Sequence, residues 1–218
     1  MLVLARIPIG IKIGVKMYNT PQELSRAIEK HKVDGFFTTG DGEAFYDQIV
    51  RLVPNNGSIV EIGCWMGLST AYLALAAIHR KAKMIAIDWF GGSVEHHMDQ
   101  FPNKSTYSIY KTNMENLGLW DSIVTLKMKA NEAINVVRKE YSPISFLFID
   151  GDHSYEGVTS DFNLYGPLMS MGGQIMFHDA GSLETVRNAV VENPQYGPTK
   201  QFEHFRDIGL AGSIKRVR

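Results

Sequence analysis

The residue types best suited to chemistry lie in two short stretches, Phe148-Ile-Asp-Gly-Asp-His-Ser-Tyr-Glu-Gly157 and Phe177-His-Asp179. In each, an apolar run leads to an aspartate, Asp150 or Asp179, with a histidine close by, His153 or His178. Two carboxylates that converge are costly to ionise together unless a cation or a proton sits between them. A divalent ion would resolve the repulsion. Carboxylates suit magnesium or manganese, whereas imidazole suits manganese, iron or zinc better than magnesium, so His178 bears on which metal is held. His153 has a side chain that accepts a proton near neutral pH, and it also reads as a loop-stabilising hydrogen-bond group. The plainer readings are an Asp-Gly turn at 150, a turn aspartate at 179 and a strand-end histidine at 178. Asp152 orients the loop or reaches the metal through water, and Ser154 and Glu156 read as first-turn helix residues.

A third stretch, Val60-Glu-Ile-Gly-Cys-Trp-Met-Gly-Leu-Ser-Thr70, reads as a buried strand, a tight turn and the start of a helix. Gly63 and Gly67 let backbone approach a ligand, and the helix start offers unpaired N–H groups to a carboxylate. The spacing is not the Gly-x-Gly-x-x-Gly of a dinucleotide site. Asp88 closes the next apolar run, Met84-Ile-Ala-Ile-Asp88, where a carboxylate can accept from both ribose hydroxyls or cap the following loop. Trp89 stacks on a base or simply packs. Cys64, the single cysteine, has no activating base in its motif and is not read as a nucleophile.

These motifs resemble those of class I S-adenosylmethionine-dependent methyltransferases, and Glu61-x-Gly63-x-x-x-Gly67 looks like their first motif. The resemblance implies cofactor contacts at Glu61, Gly63, Cys64, Trp65, Gly67, Ser69, Asp88 and Trp89, with Ala130 and Asn131 meeting the adenine after the third strand. Asn131 also reads as a helix cap. The stretches around Asp150 and Asp179 resemble a metal-dependent subfamily of small-molecule O-methyltransferases that includes macrolide-sugar methyltransferases and cephalosporin-hydroxylase-like proteins. For that subfamily the implied ligands to magnesium or manganese are Asp150, His178 and Asp179, and the implied general base is His153. Position 178 departs from the pattern, since many relatives carry a carboxylate there. The likeness covers Ser58 to Gly181 well, the final strands loosely and the first 56 residues hardly at all.

The elements that must position these residues alternate. Strands are expected at Ser58–Ile62, Met84–Asp88, Ile123–Met128, Ser145–Ile149 and Gly173–His178. Helices are expected at Pro21–His31, Asp41–Val53, Leu68–His79, Ser105–Leu117, Asn131–Glu140, Tyr155–Leu168 and Ser182–Glu192. Apolar strands alternating with helices imply an α/β fold with a parallel sheet covered on both faces, and ligands outside the carboxyl ends of its strands. Gln201–Ile208 and Gly209–Lys215 read as a closing strand pair. By resemblance this is the Rossmann-like class I methyltransferase fold, a seven-stranded, mostly parallel sheet. Residues 1–56 are expected to form an N-terminal arm and helical cover, and 57–218 the S-adenosylmethionine-binding domain. Phe90–Lys104 reads as an acceptor-binding lid with a Gly91-Gly92 hinge, its His96 and His97 contacting solvent or substrate.

The chain has 218 residues, 44% hydrophobic and 21% charged, the composition of one globular domain with a sizeable core. A net charge of −1 offers no footprint for nucleic acid or an anionic membrane. No apolar run suggests a membrane span, and one cysteine forms no intrachain disulfide, so a cytoplasmic setting is expected. The expected activity is transfer of methyl from S-adenosylmethionine to oxygen on a small hydroxylated molecule. The alternative is a non-catalytic cofactor-binding or assembly protein on the same fold, and a nicotinamide oxidoreductase is disfavoured by the glycine spacing.

Residues 6–17 alternate strictly between Ile, Val or Met and Arg, Lys, Gly or Pro, the period of an extended strand with one apolar face. That arm either packs on its own domain or crosses to a second subunit to make a homo-oligomer. If it bridges subunits, protein lacking residues 1–18 should elute from gel filtration at a smaller size; an unchanged oligomer counts against the bridge.

Overall fold

The computed structural model describes residues 18–35, 38–92, 105–208 and 211–218. The expected arm at 6–17, most of the expected lid with His96 and His97, and residues 209–210 at the start of the expected last strand lie outside the described residues. Among the described residues seven α-helices and seven strands follow one another, alternating from β1 to α7: α1 (Pro21–His31), α2 (Thr39–Leu52), β1 (Ser58–Ile62), α3 (Leu68–His79), β2 (Lys83–Asp88), α4 (Tyr107–Asn116), β3 (Ile123–Lys127), α5 (Ala130–Glu140), β4 (Ile144–Ile149), α6 (Tyr155–Tyr165), β5 (Met169–Phe177), α7 (Glu184–Val191), β6 (Phe202–Ile208) and β7 (Ala211–Arg216). They form one sheet of order β3-β2-β1-β4-β5-β7-β6. β1 to β5 run parallel, and β7 lies antiparallel between β5 and β6. This is the mostly parallel, seven-stranded architecture expected from the alternating runs. The order reverses between β1 and β4, so the crevice for a ligand opens above their carboxyl ends. Among the described residues no helix is long and apolar enough to cross a membrane.

Both faces of the sheet are buried because successive strand residues point to opposite sides and both sets are apolar. Ile59, Phe146 and Phe148 join the core under α1 to α4, while Val60, Ile62, Leu147 and Ile149 join the core under α5 to α7. The central helix α3 is buried from Leu68 through Ala77. Its alanines bring it close to the sheet, and α2 and α1 cover its outer side. Glu61 falls on the same face as Ile59, so the pleat aims its carboxylate into the first turn of α3.

Several boundaries shift by one to four residues from expectation, and two of the shifts have clear local reasons. α2 starts at Thr39 rather than Asp41, because Thr38 caps it and Asp41 returns the bond as the third helical residue. β5 starts at Met169 rather than Gly173, with a register shift between Ile144 and Phe146 of its partner that absorbs Gly172 and Gly173.

On the α6 side, Phe162 is fully buried with its ring 5.5 Å from Phe177 and 5.2 Å from Phe202. It ties α6 to β5 and to the edge strand β6. Phe162→Ala should therefore cost about 3–5 kcal/mol of unfolding free energy, read from urea denaturation. A loss below about 1 kcal/mol would show that these aromatic contacts are not what joins the layers.

Candidate active site

The loop from β1 into α3 is shaped by the protein's own backbone. Gly63 has φ of +88° and donates its N–H to Ile87 O at 2.9 Å. A Cβ on Gly63 would stand 2.0 Å from the carbonyl oxygen of Asp150, so the residue is small because β4 passes beside it. Gly67 has φ of +94°, and a Cβ there would meet Met114 Cε at 2.6 Å on α4. Trp65, between them, is also left-handed at +42°. Such conformations in non-glycine residues are held only where the surroundings over-determine them. Here Asp88 does so: Oδ2 accepts from Cys64 N at 2.8 Å and Trp65 N at 3.0 Å, while Oδ1 accepts from Phe90 N at 2.6 Å.

A cavity of about 580 Å³ opens over this loop. Of the residues expected to meet a cofactor, Gly63, Cys64, Trp65, Ser69, Asp88, Trp89, Ala130 and Asn131 all line it. Glu61 and Gly67 do not reach its wall; both brace the loop from behind. Trp89 is 48% exposed, with Lys129 Nζ 5.5 Å from its ring centroid. Asn131 sits inside the first turn of α5, whose cap is Lys129, so it is not the capping residue. Ala130 is fixed through its carbonyl, which accepts from Tyr165 Oη at 2.7 Å. Cys64 is buried, with Sγ 3.6 Å from Ile87 O, and burial pushes its thiol pKa well up, as a packed rather than a nucleophilic side chain requires.

The wall also carries residues that motif reading did not single out: Asp34 and Gly35 before α2, Thr106 before α4, and Ser160 and Asp161 on α6. For Asp161 a signal existed. It occupies an apolar-stripe position among Val158, Phe162 and Tyr165, where a charge is out of place.

At the carboxyl ends of β4 and β5 the structure brings Asp150, His153, His178 and Asp179 together, with one ligand atom of each within 4.8 Å of all the others. His178 Nδ1 lies 2.7 Å from Asp179 Oδ2 and 3.1 Å from Asp150 Oδ1, and His153 Nε2 lies 3.4 Å from each carboxylate. Burial alone would lower the His178 pKa, but the hydrogen bonds and charges of the two aspartates push it up to about 10. An imidazolium thus supplies the positive charge that the paired carboxylates demand, and a metal taking Nδ1 must displace that proton. Asp179 is left-handed at +58°, with Oδ1 accepting from Ser182 Oγ at 3.0 Å. Burial works against its ionisation, yet His178 and the serine hold its carboxyl below the usual range. The two carboxylates and the Nδ1 of His178 fit a divalent ion with His153 Nε2 beside it, and the mixed N/O set suits manganese, iron or zinc better than magnesium. Asp150 and His153 also line the cavity, so the cluster and the glycine loop share one crevice. Asp152 stays out of the cluster, its Oδ1 accepting from Ser154 N at 2.9 Å.

Comparison with known proteins agrees with this geometry. A family described as "Methyltransferase domain" matches residues 60–180. The O-methyltransferase from Bacillus cereus, in complex with SAH, superposes with a TM-score of 0.60 at 15% identity, covering 94% of this chain and 93% of that one. TomG from Streptomyces achromogenes, an O-methyltransferase of tomaymycin synthesis bound to SAM, superposes at 0.60 with 14% identity over 93% of this chain and 91% of its own. MycE, a methyltransferase of the mycinamycin pathway in complex with Mg, SAH and mycinamycin VI, superposes at 0.59 with 15% identity over 92% of this chain and 56% of its own. In sequence, 36 residues are 56% identical to the uncharacterized protein R132 of Acanthamoeba polyphaga mimivirus, a match spanning 16% of each chain.

Behind the matched glycine loop, Glu61 is wholly buried, with Ser69 Oγ and Thr70 Oγ1 each 2.5 Å from its carboxyl. Burial pushes its pKa from 4.5 up to about 8 despite those two hydroxyl bonds. Between these values the folded protein holds a proton that the unfolded chain has released, so stability falls as pH rises through that window. The slope is at most roughly 1.4 kcal/mol per pH unit. Glu61→Gln should flatten the change in unfolding free energy between pH 5 and pH 8. Parallel curves for the two proteins would mean that Glu61 is ionised in the fold.

Proposed function

We propose, from the premise that this chain belongs to the class I S-adenosylmethionine-dependent methyltransferases, that it methylates an oxygen of a small hydroxylated molecule with a divalent metal at the Asp150–Asp179 cluster. The observation that supports this reading is the meeting of that four-residue cluster with the glycine loop on one cavity. When bound, S-adenosylmethionine supplies an electrophilic sulfonium methyl, and a divalent ion supplies Lewis acidity toward a hydroxyl. The chain's own residues do the rest. Gly63, Cys64, Trp65 and Ser69 at the head of α3, with Asp88, Trp89, Ala130 and Asn131, hold the donor. Asp150, His178 and Asp179 hold the metal, as the Mg in MycE suggests by analogy, with imidazole favouring manganese in this chain.

His153 is the general base. A hydroxyl is a weak nucleophile until its proton leaves, and Nε2 of His153, on the cavity wall beside both carboxylates, accepts that proton. The neighbouring aspartates stabilise the imidazolium that results.

The test begins with calorimetry of S-adenosylhomocysteine and manganese, followed by methyl transfer to sugar, polyketide and catechol hydroxyls. Binding of both ligands and transfer to one acceptor class are expected, with chelation lowering the rate. His153→Ala should slow transfer by roughly 10²- to 10⁴-fold while the affinity for S-adenosylhomocysteine stays near that of wild type. Full turnover by that variant removes His153 from the mechanism, and cofactor binding with neither metal affinity nor transfer removes the proposed activity.

A further inference from the structure

Asp161 is 9% exposed, stands on the cavity wall, and has no hydrogen-bond or ion-pair partner among the described residues. An unpaired carboxyl in such a position is costly, and proteins rarely leave one without a use. Burial, reinforced by the charge of Asp152, pushes its pKa up to about 7. Its carboxylate lies against the loop that leaves β4, where a Cβ placed on Gly151 would stand in van der Waals contact with Oδ2 at 3.8 Å. Tyr165, one turn further along α6 and close enough for Asp161 to help raise its pKa after burial, gives its hydroxyl proton to Ala130 O instead. Asp161 therefore faces the cavity beside the start of α5.

We infer that Asp161 reads the nucleobase of the bound cofactor by accepting a hydrogen bond from the exocyclic amine of adenine. This rests on the reading of the cavity as the S-adenosylmethionine site. The cofactor has three kinds of donor: the α-amino group, the ribose hydroxyls and the adenine amine. The amino acid end belongs by the head of α3, in the layer of α1 to α4 on the opposite side of the sheet from α6. The ribose belongs by Asp88, at the end of β2. The base is left for the segment 129–131, and Asp161 borders that segment through Tyr165 and Ala130. At pH 8, above its pKa of about 7, the carboxylate is mostly ionised and only accepts, so it welcomes the amine of adenine and opposes the carbonyl of hypoxanthine.

Titration calorimetry of S-adenosylhomocysteine and its deaminated analogue, S-inosylhomocysteine, against three proteins tests the assignment. Wild type should bind the adenosyl compound tighter by roughly tenfold or more. Asp161→Ala should lose a similar factor for the adenosyl compound and no longer discriminate. Asp161→Asn should keep most of the adenosyl affinity and bind the inosyl compound better than wild type does, since its amide can donate to the carbonyl. Wild-type discrimination in both variants overturns the assignment of Asp161 while leaving the cavity's cofactor intact. Failure of wild type to bind S-adenosylhomocysteine at all overturns the reading of the cavity, and this inference with it.

Discussion

The turn at the carboxyl end of β1 depends on carboxylates that grip it from two sides. Asp88, from the adjacent strand, takes the N–H groups of Cys64, Trp65 and Phe90. Glu61, from within β1, takes the hydroxyls of Ser69 and Thr70 in the first turn of α3. Asp88 thereby pairs backbone donors that no helix or sheet can satisfy, at about 1.5–3 kcal/mol for each bond to a charged acceptor, while the buried, protonated Glu61 ties β1 to α3 through two hydroxyls. Left-handed residues at 63, 65, 67 and 90 can persist in such a frame. The glycine loop is consequently set before any ligand arrives, because strands rather than loops carry the groups that shape it.

A second concentration of charge lies across the crevice at the ends of β4 and β5, and its logic is different. Asp88 and Glu61 spend their oxygens on the protein, whereas Asp150 and Asp179 share theirs between two imidazoles. A proton on His178 and a bound cation are alternative answers to the same repulsion. Parallel strands end at one level, so β1, β2, β4 and β5 deliver the glycine loop, Asp88 and the acid pair to one edge of the sheet. Reaction geometry is in this sense a property of the strand order.

Most of the architecture was legible because the strands are apolar on both faces and end abruptly in Asp, Gly or His. Ser58–Ile62 and Leu68–His79 were readable to the residue. β5 was not, because Met169-Ser-Met-Gly-Gly173 has the composition of a turn and becomes strand only through a register shift against β4. Local chemistry was less transparent than topology. Gly63 and Gly67 attract attention as ligand-facing glycines, yet the atoms that forbid a Cβ there belong to Asp150, Met114 and Tyr110. The proximity of His178 to both aspartates depends on β4 and β5 being neighbours, which no local pattern states. Asp161 escaped notice because helices commonly carry aspartate, and only its place on the buried stripe of α6 sets it apart.

The burial of Cys64 has a practical corollary. It is the single cysteine of the chain, and its thiol is both enclosed and held in the protonated form. Thiol-alkylating reagents attack the thiolate, so Cys64 should be inert toward them until the protein unfolds. A cysteine introduced on the surface would be the only reactive thiol in the folded molecule. Spin labels or fluorophores could then be attached at one chosen place without first removing a residue from the cofactor loop.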